Sequence, residues 1–155
     1  QNNFFIFSFE HQGLYFIALE MFKDNIIFGK GPKMYRELFN QEPYNDFTEE
    51  FVEITQTLGV THPHNTYIQL LAETGLIGFS IIFSLFILLT LILCKQFLYV
   101  FFKKTNLLND YKICLIICFI VNLWPFIPTG SFFNNWNAIV YFLPLGFYLS
   151  NYEQK

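Results

Sequence analysis

The chain has 155 residues, of which 54% are hydrophobic, 21% aromatic and only 14% charged, and its formal net charge is -3. Soluble domains carry about a quarter of their residues as charged side chains, so this composition argues against a soluble domain and favours a lipid bilayer as the solvent. No nucleic-acid partner is expected.

Residues 1–63 are predicted to form a loop region that is largely helical. Residues 13–25, GLYFIALEMFKDN, mix apolar and polar side chains in the way of an interfacial helix or the end of an earlier span. Two glycines and a proline in residues 29–32 predict a tight turn. Residues 47–59 predict a weakly amphipathic helix. His11 belongs to no motif and is expected to be incidental.

The rest of the chain alternates apolar segments with short polar ones. Residues 75–94 carry no charge and are about as long as the ~20 residues that a membrane-spanning helix needs, so residues 64–94 are predicted to be a motif helix that continues into a span. A loop (95–112), a second span (113–127), a turn (128–137) and a last span with a C-terminal tail (138–155) follow. Pro144 and Gly146 leave open a re-entrant element in place of the last span.

The charges orient these segments. Residues 1–63 hold nine acids and four bases, whereas four lysines crowd the loop at 95–112: Lys95, Lys103, Lys104 and Lys112. The positive-inside rule places that loop in the cytoplasm, and residues 1–63 and 128–137 on the extracytoplasmic side. The predicted fold is all-α: a fragment of a polytopic transmembrane helix bundle with a largely helical extracytoplasmic loop.

The most informative run is HPHNTYIQLLAETGLIG at residues 62–78, which leads from the polar loop into the first span. Pro63 suits the first turn of a helix, so residues 62–65 are predicted to form its N-terminus. Free backbone N–H groups there would suit a phosphate or diphosphate. The helix dipole lowers the pKa of a nearby histidine and so favours the neutral imidazole that a general base requires.

Asn65, Gln69 and Glu73 are spaced four apart and are predicted to share one helical face. Because a carboxylate facing lipid is costly, Glu73 should face protein or a watery cavity, as a functional group does. An interfacial carboxylate that marks where the span begins is the alternative.

The 62–78 run resembles the His-Asn segment of the O-antigen ligase and O-antigen polymerase family of membrane glycosyltransferases. ALEMFKDNIIFGKGPKMYR, at residues 18–36, is similar to the stretch that begins the large extracytoplasmic loop of that family. PTGSFFNNWN, at residues 128–137, is a weaker match. The resemblance implies an enzyme of surface-polysaccharide biosynthesis, of which this chain is expected to be the C-terminal part because it opens with Gln1 and lacks a signal peptide.

Carried over by position, the family histidine before Asn matches His64, and the Asn matches Asn65. The resemblance implies that His64 assists attack by an acceptor hydroxyl on a glycan linked to a polyprenyl diphosphate, in an inverting transfer without cofactor or metal. It also implies a glycan or lipid A-core acceptor, and a multi-pass protein of the bacterial cytoplasmic (inner) membrane with an extracytoplasmic site. Arg36 matches the family's use of arginine to hold diphosphate, with Lys30 or Lys33 as helpers, and an ordinary loop cation is its alternative reading.

Other readings stay open at this point. His62 could contribute to the substrate site, with Asn65 and Glu73, or be a polar interfacial residue. His62 and His64 could form half of a metal site, although no third ligand has an obvious place. A transport protein with a path through His62, His64 and Glu73, or a structural membrane subunit, would also carry ionisable groups at a helix end. Three cysteines in apolar stretches are expected to be buried: Cys94, Cys114 and Cys118.

Overall fold

The computed structural model describes residues 9–39, 41–44 and 60–150. Over these ranges the chain is helical, without strands, and the predicted all-α class is confirmed for them. The helices are α1 (Phe9–Asp24), α2 (Met34–Leu38), α3 (Thr66–Lys103), α4 (Asp110–Asn122) and α5 (Asn135–Ser150). The amphipathic helix predicted at 47–59 lies outside the described residues.

Helix α3 carries the transmembrane character of the chain. Among the described residues it is the one helix long and apolar enough to cross a membrane. Helix α4 has 13 residues, and at ~1.5 Å per residue it spans roughly 20 Å, less than the ~30 Å hydrocarbon core of a bilayer. The second and third spans, and with them the polytopic bundle, stay predictions.

The bounds of α3 differ from the predicted segment at both ends. The helix begins at Thr66 rather than at residue 64, because Asn65 acts as its N-cap and the backbone of His64 is left-handed, with φ 54°. It ends at Lys103 rather than at residue 94, since residues 95–103 contain no glycine or proline to stop it. The lysine-rich loop thus shrinks to residues 104–109.

The chain divides into two compact units, and the first comprises Gln1–Ser80 and Phe126–Phe133. Its core is built on α1, where Leu14, Ile17, Ala18 and Met21 recur at helical spacing and are buried. Seven further apolar residues from the loops, α2 and α3 complete or border this core: Tyr35, Leu38, Phe39, Tyr44, Val60, Ile68 and Ala72. The Tyr35 hydroxyl donates to the Leu14 carbonyl at 3.0 Å, so α2 is tied to α1.

The second unit comprises Ile81–Pro125 and Asn134–Lys155. Helices α4 and α5 pack together in it, and Phe86 of α3 meets the ring of Trp124 edge to face at 6.1 Å. The prediction that the three cysteines are buried is wrong, because all three lie exposed on the outer faces of α3 and α4.

Candidate active site

The start of α3 is closed by its own cap. The Asn65 side-chain oxygen accepts the N–H groups of Tyr67 at 3.0 Å and Ile68 at 3.1 Å. An Asn at this position stabilises a helix by ~1 kcal/mol relative to Ala. Because the Asn65 side chain already accepts these two N–H groups, they are not available to bind the predicted diphosphate. Pro63 lies before the helix, not in its first turn.

His64 lies immediately before the cap in a strained backbone conformation. Its φ of 54° places it in the left-handed region, which costs a non-glycine residue about 1–2 kcal/mol. The His64 carbonyl accepts the Thr129 N–H at 2.9 Å, so the segment 126–133 holds this conformation in place. Strain of this kind persists where surrounding contacts impose it and is concentrated at functional sites.

His62 is fixed through both of its ring nitrogens. Nε2 lies 3.2 Å from the Thr129 carbonyl oxygen and Nδ1 lies 3.0 Å from the Thr61 hydroxyl. A carbonyl oxygen only accepts, so Nε2 of His62 must carry the proton, and Nδ1 of the neutral ring accepts from Thr61. With both nitrogens engaged, His62 supports its neighbours instead of presenting a base.

Three imidazoles meet at this point. The rings of His62 and His64 are 4.3 Å apart, and the ring of His11, from α1, lies 5.6 Å from that of His64 at 64°. Burial lowers the pKa of His64, and the charge of His11 lowers it further. Burial, and then the charge of His64, also lower the pKa of His62. His64 is therefore biased towards the neutral imidazole.

The polar face predicted for α3 is present, and it binds the segment 126–133. The Gln69 side chain donates to Ser131 Oγ at 3.0 Å and accepts the Phe132 N–H at 2.8 Å. The Thr66 and Thr129 hydroxyls lie 2.9 Å apart. Gln69 also donates to Glu73 Oε2 at 3.1 Å, and both side chains are only 1% exposed. Buried amides of this kind specify one arrangement of the two segments.

Glu73 serves as an anchor for the loop before α2. Its carboxylate accepts the N–H groups of Lys33 at 3.0 Å and Tyr35 at 2.9 Å, besides that of Gln69. These three donors satisfy the buried carboxylate, and hydrogen bonds to a charged group contribute ~1.5–3 kcal/mol each. The predicted protein-facing position of Glu73 is thus observed, with backbone amides as its partners.

Helix α3 is interrupted at Gly75, where the loop after α1 enters its hydrogen-bond ladder. Gly75 has φ 63° and ψ -162°. The amides of Leu76 and Ile77, which would otherwise bond to Ala72 and Glu73, bond to another segment. Four bonds make this exchange: Leu76 N–H to Ile26 O, Ile77 N–H to Ile27 O, Lys30 N–H to Ala72 O, and Gly31 N–H to Glu73 O. Gly29 and Gly31 both lie at positive φ, and the N–H groups of Lys30 and Gly31 bond to α3 and not within the segment, so the tight turn at 29–32 stays a prediction.

The basic side chains of this loop and of α2 differ in whether they are available to bind an anionic ligand. Lys30 Nζ pairs with Asp24 at 2.9 Å and lies over the Tyr44 ring, so it is committed to local structure. Arg36, on α2, is exposed, and its Nε donates to the adjacent Glu37 at 2.8 Å. Exposed pairs contribute at most ~1 kcal/mol, so a doubly charged ligand could displace Glu37. Arg36 is the predicted diphosphate residue, and the structure leaves it on the surface.

The sequence reasoning missed two parts of the site. His11 was expected to be incidental, yet α1 brings it against His64. It lies three, seven and ten residues before Leu14, Ala18 and Met21, which are all buried, and this helical spacing could have indicated that His11 faces the protein interior. Thr129 and Ser131 lie in the weaker match at residues 128–137, which gave neither of them a role, and only the fold brings them to α3. Within the described ranges, no three His, Cys, Asp or Glu side chains are grouped as metal ligands.

One family model matches the chain, described as O-antigen ligase, over residues 14–83. The match covers α1 from Leu14 onwards, α2, the His-Pro-His-Asn motif and α3 as far as residue 83, and it confirms the family recognition made from these motifs. It supports a membrane-associated, ligase-like or glycosyltransferase-like enzyme of O-antigen or surface-polysaccharide biosynthesis, which acts on a lipid-linked glycan and an acceptor. Searches of the curated proteins and of the solved structures returned no match.

Proposed function

We propose, from its O-antigen ligase family segment, that this chain is part of a membrane glycosyltransferase that transfers or polymerises glycans from a polyprenyl-diphosphate carrier. The acceptor is a glycan or a lipid A-core. The site faces the extracytoplasmic side of the bacterial inner membrane, an orientation supported by the lysines around the loop at 104–109.

One observation carries this proposal: the placement of His64. Its ring lies at the polar start of an apolar helix, its backbone is held left-handed by Thr129, and burial with His11 nearby lowers its pKa. A neutral imidazole at a membrane boundary suits a base that serves a sugar hydroxyl on one side and a lipid-borne donor on the other.

The proposed transfer needs only His64, the acceptor hydroxyl and the glycan linked to the lipid diphosphate. A ring nitrogen of His64 takes the proton of the acceptor hydroxyl as its oxygen attacks the anomeric carbon. The bond between that carbon and the diphosphate oxygen breaks, and the lipid diphosphate leaves with the electron pair. The proton then passes from His64 to solvent or to the departing diphosphate. Attack opposite to the leaving group inverts the anomeric configuration.

The other predicted site residues take supporting roles in this proposal. Arg36 binds the diphosphate by exchanging Glu37 for phosphate oxygens, with Lys33 beside it. Asn65 and His62 hold the backbone on which His64 is presented. Glu73 acts through α2, because its carboxylate fixes the amides on either side of Met34 and so the position of Arg36. Its buried carboxylate has no role as a direct substrate ligand here.

The test is complementation of cells that lack the corresponding polysaccharide activity, using the full-length protein and its His64→Asn and His64→Ala variants. Asn tolerates the left-handed backbone, so His64→Asn removes the base while keeping the fold. We expect normal membrane levels of His64→Asn and loss of polysaccharide on gels. Polymer length and attachment to lipid A-core then separate polymerase from ligase. Full activity in His64→Asn would remove His64 from the mechanism.

A further inference from the structure

The packing of α1 places His11 next to His64. It lies on the same stripe of that helix as Leu14, Ala18 and Met21, which are buried in the core of the first unit. The position of the His11 ring is therefore set by the core and not by a mobile surface contact. The rings of His11 and His64 meet edge to face, with centroids 5.6 Å apart and planes at 64°.

His64 has two imidazole neighbours, and His11 is the one whose charge lowers the pKa of His64. The ring of His62 is closer, at 4.3 Å and tilted by 50°, but both of its nitrogens are engaged with Thr61 and Thr129, and its coupling with His64 lowers the pKa of His62 itself. The segment 126–133 contributes the uncharged Thr129 N–H to the His64 carbonyl. From α1, His11 faces His64, and Tyr15 lies behind His11 at 6.4 Å.

Two imidazoles at this separation do not readily carry two protons. A positive charge on either ring repels a second on the other, and partial burial weakens the screening by water. A charge on His11 therefore disfavours a proton on His64, in line with the lowered pKa of His64, and the edge-to-face contact limits rotation of the His64 ring. Both effects favour the state in which a nitrogen of His64 is free to take a proton.

We propose that His11 is a positioning residue for the glycan transfer, which orients the His64 ring and keeps it neutral when the acceptor hydroxyl arrives. This inference rests on the proposed function. It concerns a residue on a different element, far from the His-Pro-His-Asn motif in the chain, and it assigns no proton transfer to His11 itself.

The test compares His11→Phe with the wild-type full-length protein. Phe retains an aromatic ring for the edge contact but carries no charge, and Glu20→Gln, an exposed position of the same helix, is the matched control. In isolated membranes supplied with lipid-linked glycan, we expect the acidic limb of the pH–rate profile to move to higher pH in His11→Phe. The rate at pH 6 should fall several-fold, with that of Glu20→Gln unchanged.

A second readout needs no activity. Diethyl pyrocarbonate modifies neutral imidazole, so labelling of His64 against pH, resolved by mass spectrometry, follows its titration. We expect the midpoint to rise in His11→Phe. An unchanged midpoint would overturn the pairing, and a raised midpoint with an unchanged rate profile would overturn the positioning role. Wild-type activity in His64→Asn would instead contradict the proposed role of His64 in glycan transfer, whatever the labelling shows.

Discussion

Gly29 and Gly75 lie backbone against backbone at the break in α3. A Cβ atom on Gly75 would lie 2.7 Å from the Gly29 nitrogen, and one on Gly29 would lie 2.5 Å from the Thr74 nitrogen. Real Cβ contacts are never this short, so neither position accepts a side chain without moving backbone. The contact lets the loop after α1 enter the hydrogen-bond ladder of α3, which aligns α2 with the polar face of that helix.

The first prediction follows from this contact. Gly75→Ala should destabilise the protein by roughly 3 kcal/mol or more, because φ 63° with ψ -162° is a region nearly restricted to glycine and the new methyl also clashes. Thermal unfolding in detergent measures the loss. Gly146→Ala is the matched control, since nothing lies within 4 Å of its added Cβ and Ala favours a helix by ~1 kcal/mol. Equal melting temperatures for the two variants would contradict the prediction.

Gln69 offers a second test, because it joins α3 to the segment 126–133, whose Thr129 bonds to His62 and His64. Gln69→Leu removes the bonds to the Phe132 N–H and the Ser131 hydroxyl, and the loss of such a bond at a buried group costs ~1–3 kcal/mol. We expect lower stability, and also lower activity per folded molecule, because the segment 126–133, which carries Thr129, would be held less firmly against α3 and His64.

Gln96→Leu is the control for that variant. Gln96 is likewise buried and its side-chain oxygen accepts two backbone N–H groups, from Leu107 and Leu108, but in the second unit. It should lower stability while leaving the rate per folded molecule unchanged. If both variants lost activity in proportion to folded protein alone, Gln69 would have no special relation to the site.

Arg36 can be tested as a diphosphate ligand without disturbing the fold. Arg36→Gln should raise KM for the lipid-linked donor by about tenfold while changing stability by less than ~1 kcal/mol, as expected of an exposed pair. Arg36→Lys should be intermediate, because it keeps charge but loses the planar fork. Glu37→Gln should lower KM by removing the competing carboxylate. Lys23→Gln, which breaks the exposed Lys23–Glu20 pair on α1, should alter neither quantity.

Stability should also depend on pH through His62. Burial, then the charge of His64, lower its pKa in the folded protein below the ordinary value of 6.5, whereas the unfolded chain keeps that value. The unfolded state thus binds more protons just below pH 6.5, so folding stability is complete above this pH and is lost as the pH falls towards the folded pKa. Melting temperatures between pH 8 and pH 5 measure the effect, and His62→Asn should make the curve shallower, with the remaining slope coming from His64, whose pKa is also lowered. A curve as steep in the variant would assign the dependence to other groups.

The sequence alone allowed the helical class, the apolar character of α3 and the interruption of helix before the glycines of residues 29–32 to be predicted, because these depend on composition and on local backbone preferences. It also allowed His64 and Asn65 to be selected, through a run of residues long enough to be distinctive. The helix boundaries were less accurate, since Asn65 and Pro63 compete for the same helix start and only the observed cap decides between them.

Other features depend on contacts between residues distant in the chain, which no local pattern encodes. The pairing of His11 with His64, the attachment of Thr129 and Ser131 to α3, and the role of Glu73 as an anchor for α2 are of this kind. Local chemistry therefore determined which residues are candidates for the site and which segments are apolar. Tertiary structure alone decided which of their hydrogen-bonding groups are already occupied, because a buried polar group takes whichever partner the packing brings to it.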